Sequence, residues 1–146
     1  MRAVDTAVLT RLNAISGVKV YPGEMELNDT DGNPRVVSYA LPYAVYYSSI
    51  GDDDRPRLTG RSARRSVYFR IIYVGIDPNQ AKALGEKIAL SLRDKVVPVT
   101  GHQTWLCQIQ ESQSIRRDDE AVRSDGSPLF YGADNYALPI TLVHTA

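Results

Sequence analysis

Val4, Val8, Leu12 and Ile15 recur at steps of four, four and three, the spacing that lines one face of an α-helix. Gly17 stands where a left-handed cap would close that helix. Lys19 to Leu27 reads as a strand interrupted by Pro22-Gly23, and the run Asn28 to Pro34 is dense in turn formers that reverse the chain. From Val36 the period changes to two: Val37, Tyr39, Leu41, Tyr43, Val45 and Tyr47 share one parity, and Ser38, Ala40, Pro42 and Ala44 the other. This predicts a strand with one bulky and one small face, which Pro42 can interrupt with a bulge. The small face suits close approach by another element or subunit, and equally suits solvent.

Further along, Val67, Phe69, Ile71 and Tyr73 alternate with Tyr68, Arg70 and Ile72, which predicts a strand over Ser66 to Val74. Asp77-Pro78-Asn79-Gln80 then has the form of a helix start, with Asp77 as N-cap, Pro78 in the first turn and Gln80 placed to return a hydrogen bond. Ala81, Leu84, Ile88 and Leu92 give that helix one apolar stripe, and Pro98 stops it. Thr104 to Glu111 alternates again with Trp105, Cys107 and Ile109 inward, and Tyr136, Leu138, Ile140 and Leu142 form a last strand that Pro139 assigns to an edge or a bulge. Two stretches, Ser48 to Arg65 and Ser112 to Asp134, lack an apolar period and read as long polar loops.

The predicted order is helix, strand hairpin, long loop, strand, helix, strand, long loop, strand. Half-apolar strands of this kind imply an α+β fold: a two-layer sandwich, mainly antiparallel, with two helices packed on one face of the sheet and long charged loops. The other face is left to solvent or to partners. At 146 residues the chain has the length of a single domain, 1–146. Its 43% hydrophobic and 23% charged composition is that of a globular protein.

Charge narrows the functional classes. Seventeen basic residues balance seventeen acidic ones, so no global field holds nucleic acid or an anionic membrane. The longest charge-free stretch, Val36 to Gly51, is too short for a membrane helix and contains Pro42. The N-terminus reaches Asp5 before any apolar run develops, which argues against a secretory signal. A single cysteine, Cys107, forms no intrachain disulfide and no multi-thiolate metal site, and suits a reducing compartment.

The chain offers no catalytic set. His102 and His144 have no neighbouring carboxylate to orient them, Cys107 reads as a small core residue, and no phosphate-binding glycine loop is present. Asp29, Asp31 and Gly32 depart from the calcium-loop pattern and read as a turn, and Asp52-Asp53-Asp54 as a solvated acidic run. No cofactor or metal is expected, nor enzymatic activity. The charged loops carry the interest: Arg55, Arg57, Arg61, Arg64 and Arg65 follow the acidic triplet, and Arg116, Arg117, Asp118, Asp119, Glu120 and Arg123 repeat the mixture. Thirteen of the seventeen basic residues are arginine, whose planar fork matches carboxylates at interfaces. Three readings follow: loops of both signs that pair between copies of the chain, an Arg55 to Arg65 segment that contacts nucleic acid without the interleaved aromatics expected for base stacking, or loops that are simply solvated and mobile.

Leu41-Pro42-Tyr43-Ala44-Val45-Tyr46-Tyr47, a polar loop, Arg65-Ser66-Val67-Tyr68-Phe69-Arg70-Ile71-Ile72-Tyr73 and the helix opened by Asp77-Pro78-Asn79-Gln80-Ala81, followed by Arg116-Arg117-Asp118-Asp119 and Tyr136-Ala137-Leu138-Pro139-Ile140-Thr141, together resemble the tail terminator (tail completion) proteins of long, non-contractile-tailed phages. The resemblance lies in order and spacing and spans most of the chain. It implies a virion protein, assembled in the host cytoplasm, that forms a homohexameric ring on the head-proximal end of the tail tube. Its implied partners are further copies of itself, the tail tube protein, a head-tail connector or stopper, and genomic DNA passing through the lumen without sequence-specific binding; no membrane is involved. Arg64 and Arg65, with Arg55, Arg57 and Arg61, are expected at a subunit or tube contact that orders the loop from Gly51 to Arg65. Arg116, Arg117, Asp118 and Asp119 are expected in the complementary contact. Another neck protein, connector or stopper, and a small α+β nucleic-acid-binding domain are the alternatives.

Overall fold

A computed structural model describes residues 2–22, 35–37, 42–48, 65–123 and 126–142. Helix α1 runs Arg2–Asn13, followed by β1 (Val20–Pro22), β2 (Arg35–Val37), β3 (Tyr43–Ser48) and β4 (Arg65–Gly75). Helix α2 (Pro78–Leu92) precedes β5 (His102–Thr104), β6 (Gln108–Arg123) and β7 (Pro128–Leu142). The expected α+β class holds: the described residues form two helices and are otherwise mostly strand.

The seven strands form one curled sheet in the order β1-β3-β4-β7-β6-β2, with β5 also on β7. It is mixed: the inner pairings are antiparallel, whereas β1 runs parallel to β3 at one end and β2 parallel to β6 at the other. The stretch from Val36 to Tyr47, which alternation alone joins into one strand, therefore contributes to two separate strands, β2 at one edge of the sheet and β3 between β1 and β4. A period of two records which way side chains point and is blind to where the chain leaves the ladder.

Strand β4 behaves as its pattern requires. Val67, Phe69, Ile71 and Tyr73 are buried on one face, and β7 matches them with Tyr136, Leu138 and Ile140. Val4, Val8 and Leu12 of α1 and Ala81, Leu84, Ile88 and Leu92 of α2 join the same cluster, each fully or almost fully buried. At about 25 cal/mol per Å² of apolar surface, each large side chain here contributes roughly 2 kcal/mol before chain entropy is subtracted. The small face of β3 proves structural, since Ala44 and Tyr46 pack in this cluster and Tyr46 Oη donates to Asp5 Oδ1 of α1 at 2.7 Å. The helices are tied by Arg11 Nε, which donates to the Ser91 carbonyl at 2.8 Å.

The start of α2 carries the cap that its sequence predicts: Asp77 Oδ1 accepts from the Gln80 backbone N–H at 2.7 Å. The reciprocal bond differs by one residue, because Gln80 Oε1 accepts from Ile76 N–H rather than from the cap itself.

Two expectations are overturned. Ser112 to Asp134 is no loop but the larger part of the β6–β7 hairpin, in which Ser112 stands opposite Asp134 and Asp118 opposite Leu129. Side chains along the middle of β6 are mostly exposed on both faces, so burial imposes no apolar period on them; backbone pairing, to β7 and at its far end to β2, makes the strand. Nor does Pro139 mark an edge, for β7 lies between β4 and β6. The Pro139 carbonyl accepts from Trp105 N–H at 3.0 Å, at the break between β5 and β6. In an antiparallel strand a residue's N–H and C=O point to the same side, so the missing donor faces that break and the β4 ladder loses nothing.

The sheet face away from the helices is only partly bare. At one end Tyr43, Val45, Val74 and Leu129 are buried, with Tyr21, Tyr47, Ile72 and Tyr131 packed around them. This second cluster covers the ends of β3 and β4 that the sequence reading left to solvent or partners.

The interior holds one hydroxyl without a partner among the described residues, Tyr136 Oη. Its ring stacks on Phe69 with centroids 5.4 Å apart and planes 10° from parallel. Phenylalanine would keep the stack and remove a buried donor that gains nothing. Tyr136→Phe is therefore expected to stabilise the chain by about 1 kcal/mol, read as a raised midpoint in thermal or urea unfolding; a loss of stability would show that the hydroxyl is satisfied.

Candidate interaction surface

Of the charged positions singled out in the sequence, Arg55, Arg57, Arg61 and Arg64 lie outside the described residues. Arg65 is the first residue of β4, paired with Ile140. Arg116, Arg117 and Asp118 lie on β6 opposite Tyr131, Phe130 and Leu129, with Asp119 next in the strand. Arg65 and the Arg116–Asp119 run thus sit at opposite ends of β7, eleven residues apart between Ile140 and Leu129, or roughly 35 Å at the strand rise. Any pairing between them joins two copies of the chain.

The structure brings together a different set. On the sheet face away from the helices, Tyr47, Arg70 and Asn135 stand opposite one another on β3, β4 and β7, and Glu111 of β6 pairs with Asn135. With Tyr68, Gln110 and the edges of Ser48 and Phe69 they line an open groove of about 460 Å³. Arg70 Nη2 donates to Gln113 Oε1 at 3.0 Å, while its buried Nε has no partner among the described residues. Tyr68 is 40% exposed. Tyrosine and arginine are the residue types that dominate protein interfaces, because each offers a large rigid contact with polar groups at its tip. Sequence parity places Arg70 outward on β4; what it cannot show is that Tyr47, Asn135 and Glu111 share the row, since they come from three other strands.

Beneath this surface lies a polar cluster that the sequence did not reveal. Tyr73 is held between α2 and β7 at two glycines: a Cβ on Gly85 would stand 2.7 Å from the ring, and one on Gly132 would also overlap it. The hydroxyl end reaches Asp134, which also accepts from Ser112 Oγ at 2.5 Å. Asp134 is the one charged residue among the buried described positions, 5% exposed. Burial raises its pKa above the ordinary carboxylate value, and the hydrogen bonds from Ser112 and Tyr73 oppose that rise. Burial, with Asp134 beside it, pushes the Tyr73 phenol up to about 12, and burial pushes the Cys107 thiol up to about 12 despite Arg11 nearby. A thiol so raised and fully buried is a poor nucleophile. Among the described residues no group of three or more His, Cys, Asp or Glu could hold a metal ion, and no helix is long and apolar enough to cross a membrane.

No protein-family model matches the sequence, and no curated protein matches it. Nine chains of solved structures do match. One is a chain of the structure described as "Virion of native gene transfer agent (GTA) particle", with a TM-score of 0.65 and 13% sequence identity, covering 96% of this chain and 96% of that one. At that identity the likeness is one of fold, and it extends across almost the whole of both chains.

The raised pKa of Asp134 has a consequence for stability. A carboxyl whose folded pKa exceeds its unfolded value favours folding while protonated, and loses that contribution as pH rises through the folded value. Asparagine has the shape of the neutral acid. The difference in unfolding free energy between Asp134→Asn and the parent chain is expected to move in favour of the variant as pH rises above the ordinary carboxylate range. Urea unfolding across pH 3 to 8 (about the span in which carboxyls titrate) checks this, and a pH-independent difference would refute it.

Proposed function

We propose that the chain is a structural virion protein and, more narrowly, a tail terminator: a subunit whose copies form a ring on the head-proximal end of a phage tail tube. The observation that carries this reading is the fold shared with a virion particle chain over 96% of both molecules. The resemblance in element order to tail terminators supports it, as does an exposed groove lined by tyrosine and arginine, residue types that dominate protein interfaces. In this reading the subunit is two-layered, with helices over one sheet face and the Arg70 face turned to other proteins. The ring is a homohexamer without cofactor or catalytic activity, whose partners are the tube protein below and the connector or stopper above. DNA crosses the lumen without sequence-specific contacts.

The physical task is to stop a polymer. A tube grows because each added ring presents the surface that binds the next; a terminator binds that surface and offers a different one. Strand edges and charged residues that satisfy a tube below, and that mismatch tube protein above, perform this by specificity of contact alone.

Cells that produce the particle without this chain are expected to make tubes of uncontrolled length and heads without joined tails, visible by electron microscopy. Tails of normal length on joined heads would refute the reading. Within the assembled particle, Arg64→Glu combined with Arg65→Glu is expected to lower incorporation of the chain severalfold, measured by gel densitometry of purified particles; unchanged incorporation removes these two residues from the contact.

A further inference from the structure

Among the described residues, strand β1 stands at one end of the sheet, where a further strand would be received. Its pairing fixes which of its backbone groups face outward. Ala44 N–H donates to the Lys19 carbonyl at 2.8 Å, and Val20 stands opposite Ala44. In a parallel ladder a residue bonds to both neighbours of the residue it faces, so Lys19 and Tyr21 turn their groups to β3, and Val20 and Pro22 turn theirs away. These outward positions are where a strand added to β1 would seek N–H donors.

Each donor is already taken or missing. Val20 N–H donates to Oδ1 of Asn13, the last residue of α1, at 3.2 Å. Pro22 has no N–H to give. Just before the strand, Val18 has the same parity, and its N–H donates to the Ile15 carbonyl at 3.2 Å. A turn carbonyl, a side chain from a helix and a ring nitrogen thus remove the donors at three successive outward positions. An added strand needs donors as well as acceptors along the edge it joins. Here its own carbonyls would meet no N–H, and each would lose a hydrogen bond that water otherwise supplies.

We propose that Asn13 and Pro22 close the β1 edge to strand addition, so that copies of the chain cannot join edge to edge into one continuous sheet. The residues around that edge otherwise favour such a join. Val18, Val20 and Tyr21 are strand-forming types, and a chain of no net charge sets up no overall repulsion between its copies. At the other end of the sheet stands β2, also three residues long. A β2 of one copy laid on the β1 of the next would be a head-to-tail contact, repeated from copy to copy. Asn13 and Pro22 refuse that repeat through the backbone and leave the faces of the subunit free for contacts with other proteins. The closed edge belongs to the sheet alone and stands whether or not the chain caps a tail tube.

The test reopens the edge in the full-length chain. Asn13→Ala frees the Val20 N–H, and Pro22→Val supplies one at position 22. The doubly substituted chain is expected to self-associate at a concentration about tenfold lower than the parent, because two outward donors are restored; sedimentation velocity measures this. Hydrogen exchange followed by NMR separates edge pairing from unfolding. Pairing slows the amides of Val20 and of position 22 as concentration rises and leaves the amide of the fully buried Ile71 unchanged, whereas unfolding speeds exchange at Ile71. Pro22→Val alone keeps the bond between α1 and β1, is expected to shift association the same way by a smaller factor, and decides the matter if the doubly substituted chain unfolds. Asn13→Ala alone is expected to speed exchange at Val20 about tenfold, and unchanged exchange there removes Asn13 from the proposal. Association no tighter than the parent's, in the folded double variant or in Pro22→Val alone, overturns it, as does tighter association without slower exchange at Val20 and position 22.

Discussion

The pairing of β4 with β7 organises the molecule. It runs unbroken from Arg65 opposite Ile140 to Gly75 opposite Phe130, and the remaining strands attach to one or other of these two or to their immediate neighbours. Both strands are covered by backbone partners on each side, so each must present apolar side chains where a layer lies above and polar or aromatic ones where none does. The constraint reaches the helices, because α1 and α2 have their stripes set by the inward residues Phe69, Ile71, Tyr136 and Leu138. It reaches the opposite face too, since the same register that buries Phe69 against Tyr136 turns Arg70 and Asn135 outward together.

Tyr73 and Arg70 show how one strand meets two environments three residues apart. Tyr73 points inward, where two glycines make room for its ring and Asp134 and Ser112 meet its hydroxyl. The polar group is buried, and its hydrogen bonds are completed within the chain. Arg70 lies on the outward face beside an open groove, with Nη2 bonded to Gln113 and its buried Nε without a partner among the described residues. A buried polar network whose members are all satisfied rigidifies the fold around it, and a buried donor without a partner weakens it.

How much of this could be read from the sequence depends on burial. Helix α2 announces itself through the Asp77 cap and the Ala81, Leu84, Ile88, Leu92 stripe, and β4 through strict alternation, because in both a single face is buried. Strand β6 is nearly silent: with Gln113 and Ile115 half-buried and Glu111, Ser112, Ser114, Arg116 and Arg117 exposed, nothing selects an apolar residue at every second position. Its strand character comes from β7, a partner whose register no local pattern encodes. The proline in β7 misleads for a related reason, since its missing donor matters only if a strand lies ready to accept it, and at Pro139 the neighbour changes from β5 to β6. The groove was hidden because Tyr47, Arg70, Asn135 and Glu111 are far apart in the chain. The arginine-rich stretch, prominent in sequence, owes its prominence to composition, and composition alone assigns no geometry.

Where one surface of a chain meets a different surface of the next copy, the contact is heterologous, and such contacts produce a closed ring or an open filament according to the angle between successive copies. In the proposed role as a terminator only closure serves, because a filament would replace one unlimited assembly with another. Within the subunit, β6 is where the direction of the β6–β7 hairpin is adjusted. Its register with β7 shifts between Ile109 and Glu111, between Gln113 and Arg116, and between Asp118 and Val122. Each such irregularity bends the strand and increases its twist. Together they turn the end of the hairpin away from the line that a regular ladder would take. The polar character of β6, which hides it in the sequence, is also what permits these bends: with mostly exposed side chains along its middle it can shift register there without moving a buried side chain to the wrong face.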